Sequence, residues 1–217
     1  PVAYWADKKI VDNFNVGERV DAFAFPKQGL ATADNNRFLR LWFEVAKDKI
    51  GLGYKNAEDA TESGKKWFPY NKGGGFKKWY GNNEYVINWE NDGSELRNFK
   101  GSVIRSPKYY FREGISWCKI TSSDFSMRFI PNGFLFDVAG CTLFVDEEKI
   151  KYILGYMNSK INAYILKLIS PTLNFEVGHV GSLPIIFAEE YRSEVERLVS
   201  ENIELCKNDW NREQLGL

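Results

Sequence analysis

Lys65-Lys66-Trp67-Phe68-Pro69-Tyr70-Asn71-Lys72-Gly73-Gly74-Gly75-Phe76-Lys77-Lys78-Trp79-Tyr80-Gly81 interleaves lysines with large aromatics around three consecutive glycines. A buried strand would alternate apolar with polar residues, and a buried lysine needs a partner or a shifted pKa. The stretch satisfies neither condition, so it reads as a central hairpin whose arms flank the glycines. Two uses of that hairpin stay open on these residues alone. Its rings can prop a sheet while its lysines are solvated. Alternatively, the lysines can meet phosphate, the rings can stack on bases or sugars, and the glycines can let the backbone approach a neighbour closely.

The chain has 217 residues, enough for one large domain with a real core. Hydrophobic content of 44% and charged content of 27% are those of an ordinary soluble protein, whereas 16% aromatic is high and favours rings at the surface as well as in the core. Net charge is zero, which removes any global electrostatic case for nucleic acid. The distribution is uneven, however: residues 64–128 hold twelve Lys or Arg against six Asp or Glu. That region can attract phosphate while the rest of the chain faces away; a solvated charged face is the alternative. Cys118, Cys141 and Cys206 form no Cys-x-x-Cys pair, which suits the cytoplasm, and the single histidine, His179, supports no zinc constellation. No apolar run approaches membrane-span length, and no signal-peptide pattern opens the chain. A start at Pro1 leads us to expect a piece of a longer protein.

Apolar residues at Val2, Trp5, Ile10, Val11 and Phe14 give residues 3–14 a helical face, and residues 20–25 read as a strand ended by Pro26. A polar loop over 28–38 leads to a strand over 38–45, and Asn56 opens a short helix over 57–63. Strand 84–89 and helix 94–99 follow. In Arg105-Ser106-Pro107-Lys108-Tyr109-Tyr110-Phe111-Arg112-Glu113-Gly114-Ile115-Ser116-Trp117, bases and rings again surround a glycine. Short strands over 126–131, 134–138 and 141–145 predict a curved, mostly antiparallel sheet. From Glu147 the period becomes helical, with a break at Asn158-Ser159. A short strand region over 173–185 and a helix over 189–210 complete the chain. The expected fold is therefore α/β of the α+β type: a sheet-rich region over 1–146 and a helical part over 147–217 packed on it.

Catalytic machinery is missing from the sequence. There is no Ser-His-Asp set, no Gly-x-x-x-x-Gly-Lys loop and no Rossmann glycine pattern. Asp137 followed by Glu147-Glu148-Lys149 matches the loose spacing of metal-dependent nucleases. Acids ahead of an apolar helical run are also what a helix N-terminus favours. His179, between Gly178 and Val180, reads as a surface or hinge residue, and Asn174 as a turn residue.

Several segments together resemble a known family. They are Gln28-Gly29-Leu30-Ala31-Thr32-Ala33-Asp34-Asn35-Asn36-Arg37-Phe38, residues 71–81, residues 111–117, and Pro171-Thr172-Leu173-Asn174-Phe175-Glu176-Val177-Gly178 through Leu183-Pro184-Ile185. In order and nearly end to end, they resemble the C-terminal part of PglX-type adenine-specific DNA methyltransferases of BREX phage-defence systems, which are similar to fused type IIG restriction-modification enzymes. Ala33 departs from the family's usual glycine. The resemblance implies a non-catalytic target recognition domain. Its S-adenosylmethionine site and Asn-Pro-Pro-Tyr motif would lie upstream in the parent, so no cofactor or metal is expected here. Expected partners are double-stranded DNA, the parent's methyltransferase domain and other defence-system proteins, with no membrane. A second class stays in play, a protein-interaction module that docks defence partners or a phage inhibitor through exposed aromatics. Lys72, Lys77, Lys78, Arg105 and Lys108 are expected to form one phosphate-facing surface, and Asn71, Trp79, Tyr80, Arg112, Glu113 and Trp117 to read bases.

Overall fold

The computed structural model describes residues 7–215, so Val2 and Trp5 of the expected first helical face lie outside the described residues. In chain order the strands are β1 (Glu18–Arg19), β2 (Phe25–Lys27), β3 (Leu39–Leu41), β4 (Trp67–Asn71), β5 (Tyr85–Asn88), β6 (Gly114–Trp117), β7 (Met127–Ile130), β8 (Leu135–Phe136), β9 (Thr142–Phe144) and β10 (Pro184–Ile185). The helices are α1 (Lys8–Val16), α2 (Asn35–Phe38), α3 (Ala57–Glu62), α4 (Glu90–Arg97), α5 (Glu147–Met157), α6 (Lys160–Ile169), α7 (Val177–Gly181) and α8 (Glu189–Leu215). This mixed, mostly antiparallel arrangement is the expected α+β class.

The strands build two four-stranded sheets and a small β1–β10 pair instead of one curved sheet. The first sheet has the order β2-β9-β6-β7 and is antiparallel throughout; the second runs β3-β5-β4-β8, with β4 and β8 parallel. Each sheet has its own apolar cluster. Trp117, Met127 and Leu143 of the first sheet share theirs with Ile153, Leu154, Ile165 and Val199 of α5, α6 and α8. In the second, Phe68 meets Phe111 edge to face at 5.5 Å and Trp89 meets Tyr110 at 5.4 Å. Rings meeting edge to face suit the aromatic quadrupole, which is where much of the 16% aromatic content goes.

Local chemistry explains most boundaries. Asn56 caps α3 by accepting the Asp59 N–H. Asn158 ends α5, and its amide pairs like a strand with β7, donating to Met127 O and accepting from Met127 N–H, both at 2.9 Å. Ser159 then caps α6 through the Asn162 N–H. Gly155 lets α8 close on α5, since an added Cβ would stand 2.9 Å from Val195 Cγ1. At Gly29 an added Cβ would come within 1.7 Å of Phe136 O, because Leu30 lies alongside β8 and its N–H donates to Phe136 O. Other boundaries shift. Pro26 sits inside β2, where an edge strand tolerates a residue without an N–H, and residues 20–22 are a 3-10 turn. The region expected as strand over 173–185 instead holds the short helix α7, with β10 at its end.

The quoted glycine-rich stretch links the two sheets. Its first arm is β4, inside the second sheet, and the following loop crosses to the far edge of the first. There Trp79 N–H donates to Met127 O and Phe129 N–H donates to Trp79 O. No helix among the described residues is long and apolar enough to cross a membrane.

Candidate nucleic-acid interface

The expected single basic face divides along the first sheet. At its β7 edge, the Lys77 ammonium lies 5.7 Å from the Trp210 ring and Lys78 donates to Asn158 O at 3.0 Å. At the opposite, β2 edge, Lys27, Lys108 and Arg112 converge on Tyr109: their charged groups are 5.4, 5.4 and 5.9 Å from its ring centre. Lys72 joins neither group. Its ammonium is 2.6 Å from the carboxylate of buried Asp137, which corrects its reading as a free phosphate contact. Replacing Lys72 with Met should therefore lower stability by about 2–3 kcal/mol, less than for a fully buried pair because Lys72 stays partly open to water. Urea unfolding of the chain measures this; an unchanged midpoint would show the pair to be unimportant.

Two expected base readers are also corrected. Asn71 is fully buried between the sheets. It donates to Ser116 Oγ at 2.6 Å and Gly140 O at 3.1 Å, and accepts from Arg128 Nη2 at 3.3 Å. Trp117 is fully buried and its indole N–H donates to Phe175 O at 2.8 Å. Neither has surface with which to touch a base. Trp79 and Tyr80 are half-buried against the first core. Burial raises the Tyr80 phenol above its ordinary pKa, and the ring borders a depression of about 640 Å³ beside Pro69 and Trp210.

Arg105, Lys108 and Arg112 remain exposed on the loop between the sheets, and Glu113 is half-buried beside them. The loop is shaped by two left-handed residues, Ser106 at φ 54° and Phe111 at φ 68°. For a phenylalanine that backbone is strained, and it persists because the surroundings fix it. The ring is fully buried, Phe111 N–H donates to Phe134 O at 2.8 Å, and Phe111 O accepts from Gly133 N–H at 2.9 Å. Tyr109 packs on Phe144 at 4.9 Å and Phe25 at 6.1 Å, while Phe25 itself is half-exposed. Among the described residues, Lys27, Lys108 and Arg112 have no carboxylate within 4.0 Å. Three like charges thus gather around one ring without an ion pair, although Glu113, Asp146 and Glu147 line the cleft that Tyr109 and Arg112 share. Lys27 escaped the sequence reading; the signal available was its i, i+2 relation to Phe25 on one strand face.

The nuclease-like spacing does not assemble. Asp137 is buried and accepts from Tyr70 O–H at 2.7 Å, Lys72 and Ala139 N–H at 2.8 Å. Lys149 lies over Phe23 and Phe187, and Glu147 lies at the start of α5. No group of three or more metal-ligating side chains exists among the described residues. His179 sits in α7, its Nδ1 accepting from Glu176 N–H.

Two β-sheets joined through an aromatic, basic loop and backed by helices define a mixed α/β module. No protein-family model matches the chain. It is 39% identical over 220 residues to the adenine-specific methyltransferase PglX of Lacticaseibacillus casei (strain Zhang), a match covering 97% of this chain and 18% of that protein. It is 42% identical over 217 residues to the adenine-specific methyltransferase BrxX of Escherichia coli O9:H4 (strain HS), covering 98% of this chain and 17% of that protein. The chain is thus a homologue of one segment of these methyltransferases and spans less than a fifth of their length.

Proposed function

We propose that this chain is the DNA target-recognition segment of a cytoplasmic adenine-specific DNA methyltransferase of the phage-defence or restriction-modification type. The S-adenosylmethionine site and the methyl-transfer chemistry belong to the rest of the parent chain, and this segment has no activity of its own. The observation that carries the reading is the Lys27–Lys108–Arg112 group around the buried Tyr109 ring, whose positive charges form no ion pair within 4.0 Å among the described residues. The similarity to methyltransferase segments supports duplex DNA as the polyanion. The apolar first cluster and the helices behind it give the module a rigid body from which to present that edge.

Binding of duplex DNA by the intact parent, measured across a salt series, tests this. Lys27→Ala and Lys108→Ala should each reduce the slope of log affinity against log salt by about 0.9, and should weaken all sequences alike. Slopes identical to the unaltered protein would remove the Tyr109 edge from the DNA interface.

A further inference from the structure

Beside Tyr109 a cleft of about 240 Å³ opens between the loop carrying Arg112 and the start of α5. Its floor is aromatic, from Phe25, Tyr109 and Phe144. Its polar lining has two signs. Arg112 and Lys55 supply donors, while Glu113, Asp146 and Glu147 supply acceptors. Burial first, and the neighbouring Glu147 next, push the Glu113 carboxyl above its ordinary pKa. Asn132 also faces the cleft, but its carbonyl oxygen already accepts the Glu113 N–H at 3.2 Å. That bond fixes the backbone position from which Glu113 projects.

Resting on the target-recognition reading, we infer that this cleft reads one G·C base pair, with Arg112 donating to guanine and Glu113 accepting from the cytosine amino group. In the major groove guanine offers two acceptors, N7 and O6, and cytosine offers one donor, N4. A forked guanidinium beside a carboxylate complements that pattern, and a guanidinium bidentate to guanine O6 and N7 is the commonest specific contact in the major groove. The Arg112 guanidinium is pre-placed near the Tyr109 ring, 5.9 Å from its centre, and the strained Phe111 backbone before it is anchored at both peptide groups. Lys27 and Lys108, on the same ring, are positioned for the backbone phosphates flanking that pair.

The test is the methylated motif of the intact parent, mapped genome-wide for the unaltered protein, Glu113→Gln and Arg112→Lys. Glu113→Gln keeps size and removes the charge, and Arg112→Lys keeps charge and removes the fork. One G·C position should lose discrimination by roughly 10- to 100-fold in both variants, with the other positions unchanged. A motif without any specified G·C pair would overturn the inference, as would two variants that retain the full motif while methylating every site less. In that last outcome the salt slopes of Lys27→Ala and Lys108→Ala decide separately whether the edge still binds DNA. Reduced slopes keep target recognition and discard only base reading, and unchanged slopes discard both.

Discussion

Trp117→Ala should destabilise the 217-residue chain by about 3–5 kcal/mol, a large share of the roughly 5–15 kcal/mol that holds a typical domain folded. The indole is fully buried in the first apolar cluster, so truncation leaves a cavity among close-packed neighbours. The loss falls toward the upper end because Phe175 O, which accepts the indole N–H at 2.8 Å, is left without that donor. Trp117→Phe retains most of the volume and loses mainly the hydrogen bond, so it should cost about 1–3 kcal/mol. Urea unfolding of the two variants separates cavity from hydrogen bond. A Trp117→Ala chain that unfolds with the unaltered midpoint but binds DNA less well would restore the residue to the interface and contradict its burial.

The contrast between Trp117 and Arg112 shows what the sequence could and could not reveal. Both lie in one run of rings and bases, five residues apart, and both stand among the expected base readers. Arg112 precedes Gly114 and β6 on an exposed turn, whereas Trp117 ends β6, a strand buried along its whole length. Only the flanking of β6 by β9 and β7 makes that difference, and such pairing is non-local. Local signals were legible: Asn56 as a cap, Asn158-Ser159 as a helix break, and strand 85–88 within the expected 84–89. The division into two sheets was not. It depends on Tyr70 meeting Leu135 and on Trp79 meeting Arg128, contacts between distant residues that no periodicity encodes. Lys72 failed as a phosphate contact for the same reason, since its partner Asp137 is 65 residues away. Lys27 went unnoticed because Pro26 reads as a strand end, while the edge position that tolerates it depends on β2 pairing with β9.

The buried polar tie between the sheets leads to the second large effect, and its two members should respond in opposite ways. Asn71 joins Ser116, Gly140 O, Gly73 N–H and Arg128 across the gap between β4 and the first sheet. Asn71→Ala would leave several of these groups buried without their partner, at about 1–3 kcal/mol each before relaxation, so a loss of about 3–4 kcal/mol is expected. Arg128 is fully buried too. Its Nη2 donates to Gly73 O at 3.0 Å and to Asn71 Oδ1, yet its Nε and Nη1 find no partner among the described residues. Desolvation pushes its pKa down to about 10 from 12.5. A cation whose folded pKa is depressed destabilises the fold at every pH below that value, and the penalty is relieved only as pH rises through about 10. A shift of that size corresponds to a penalty on the order of 3 kcal/mol, comparable to what the two hydrogen bonds return. Arg128→Met, which keeps an unbranched apolar stem and removes the charge, should therefore change stability by less than about 1 kcal/mol near neutral pH. Unfolding free energies for the two single variants at pH 7 test the asymmetry. If Arg128→Met costs as much as Asn71→Ala, the guanidinium is satisfied by groups or waters beyond those described. The tie would then rest on the arginine as firmly as on the asparagine.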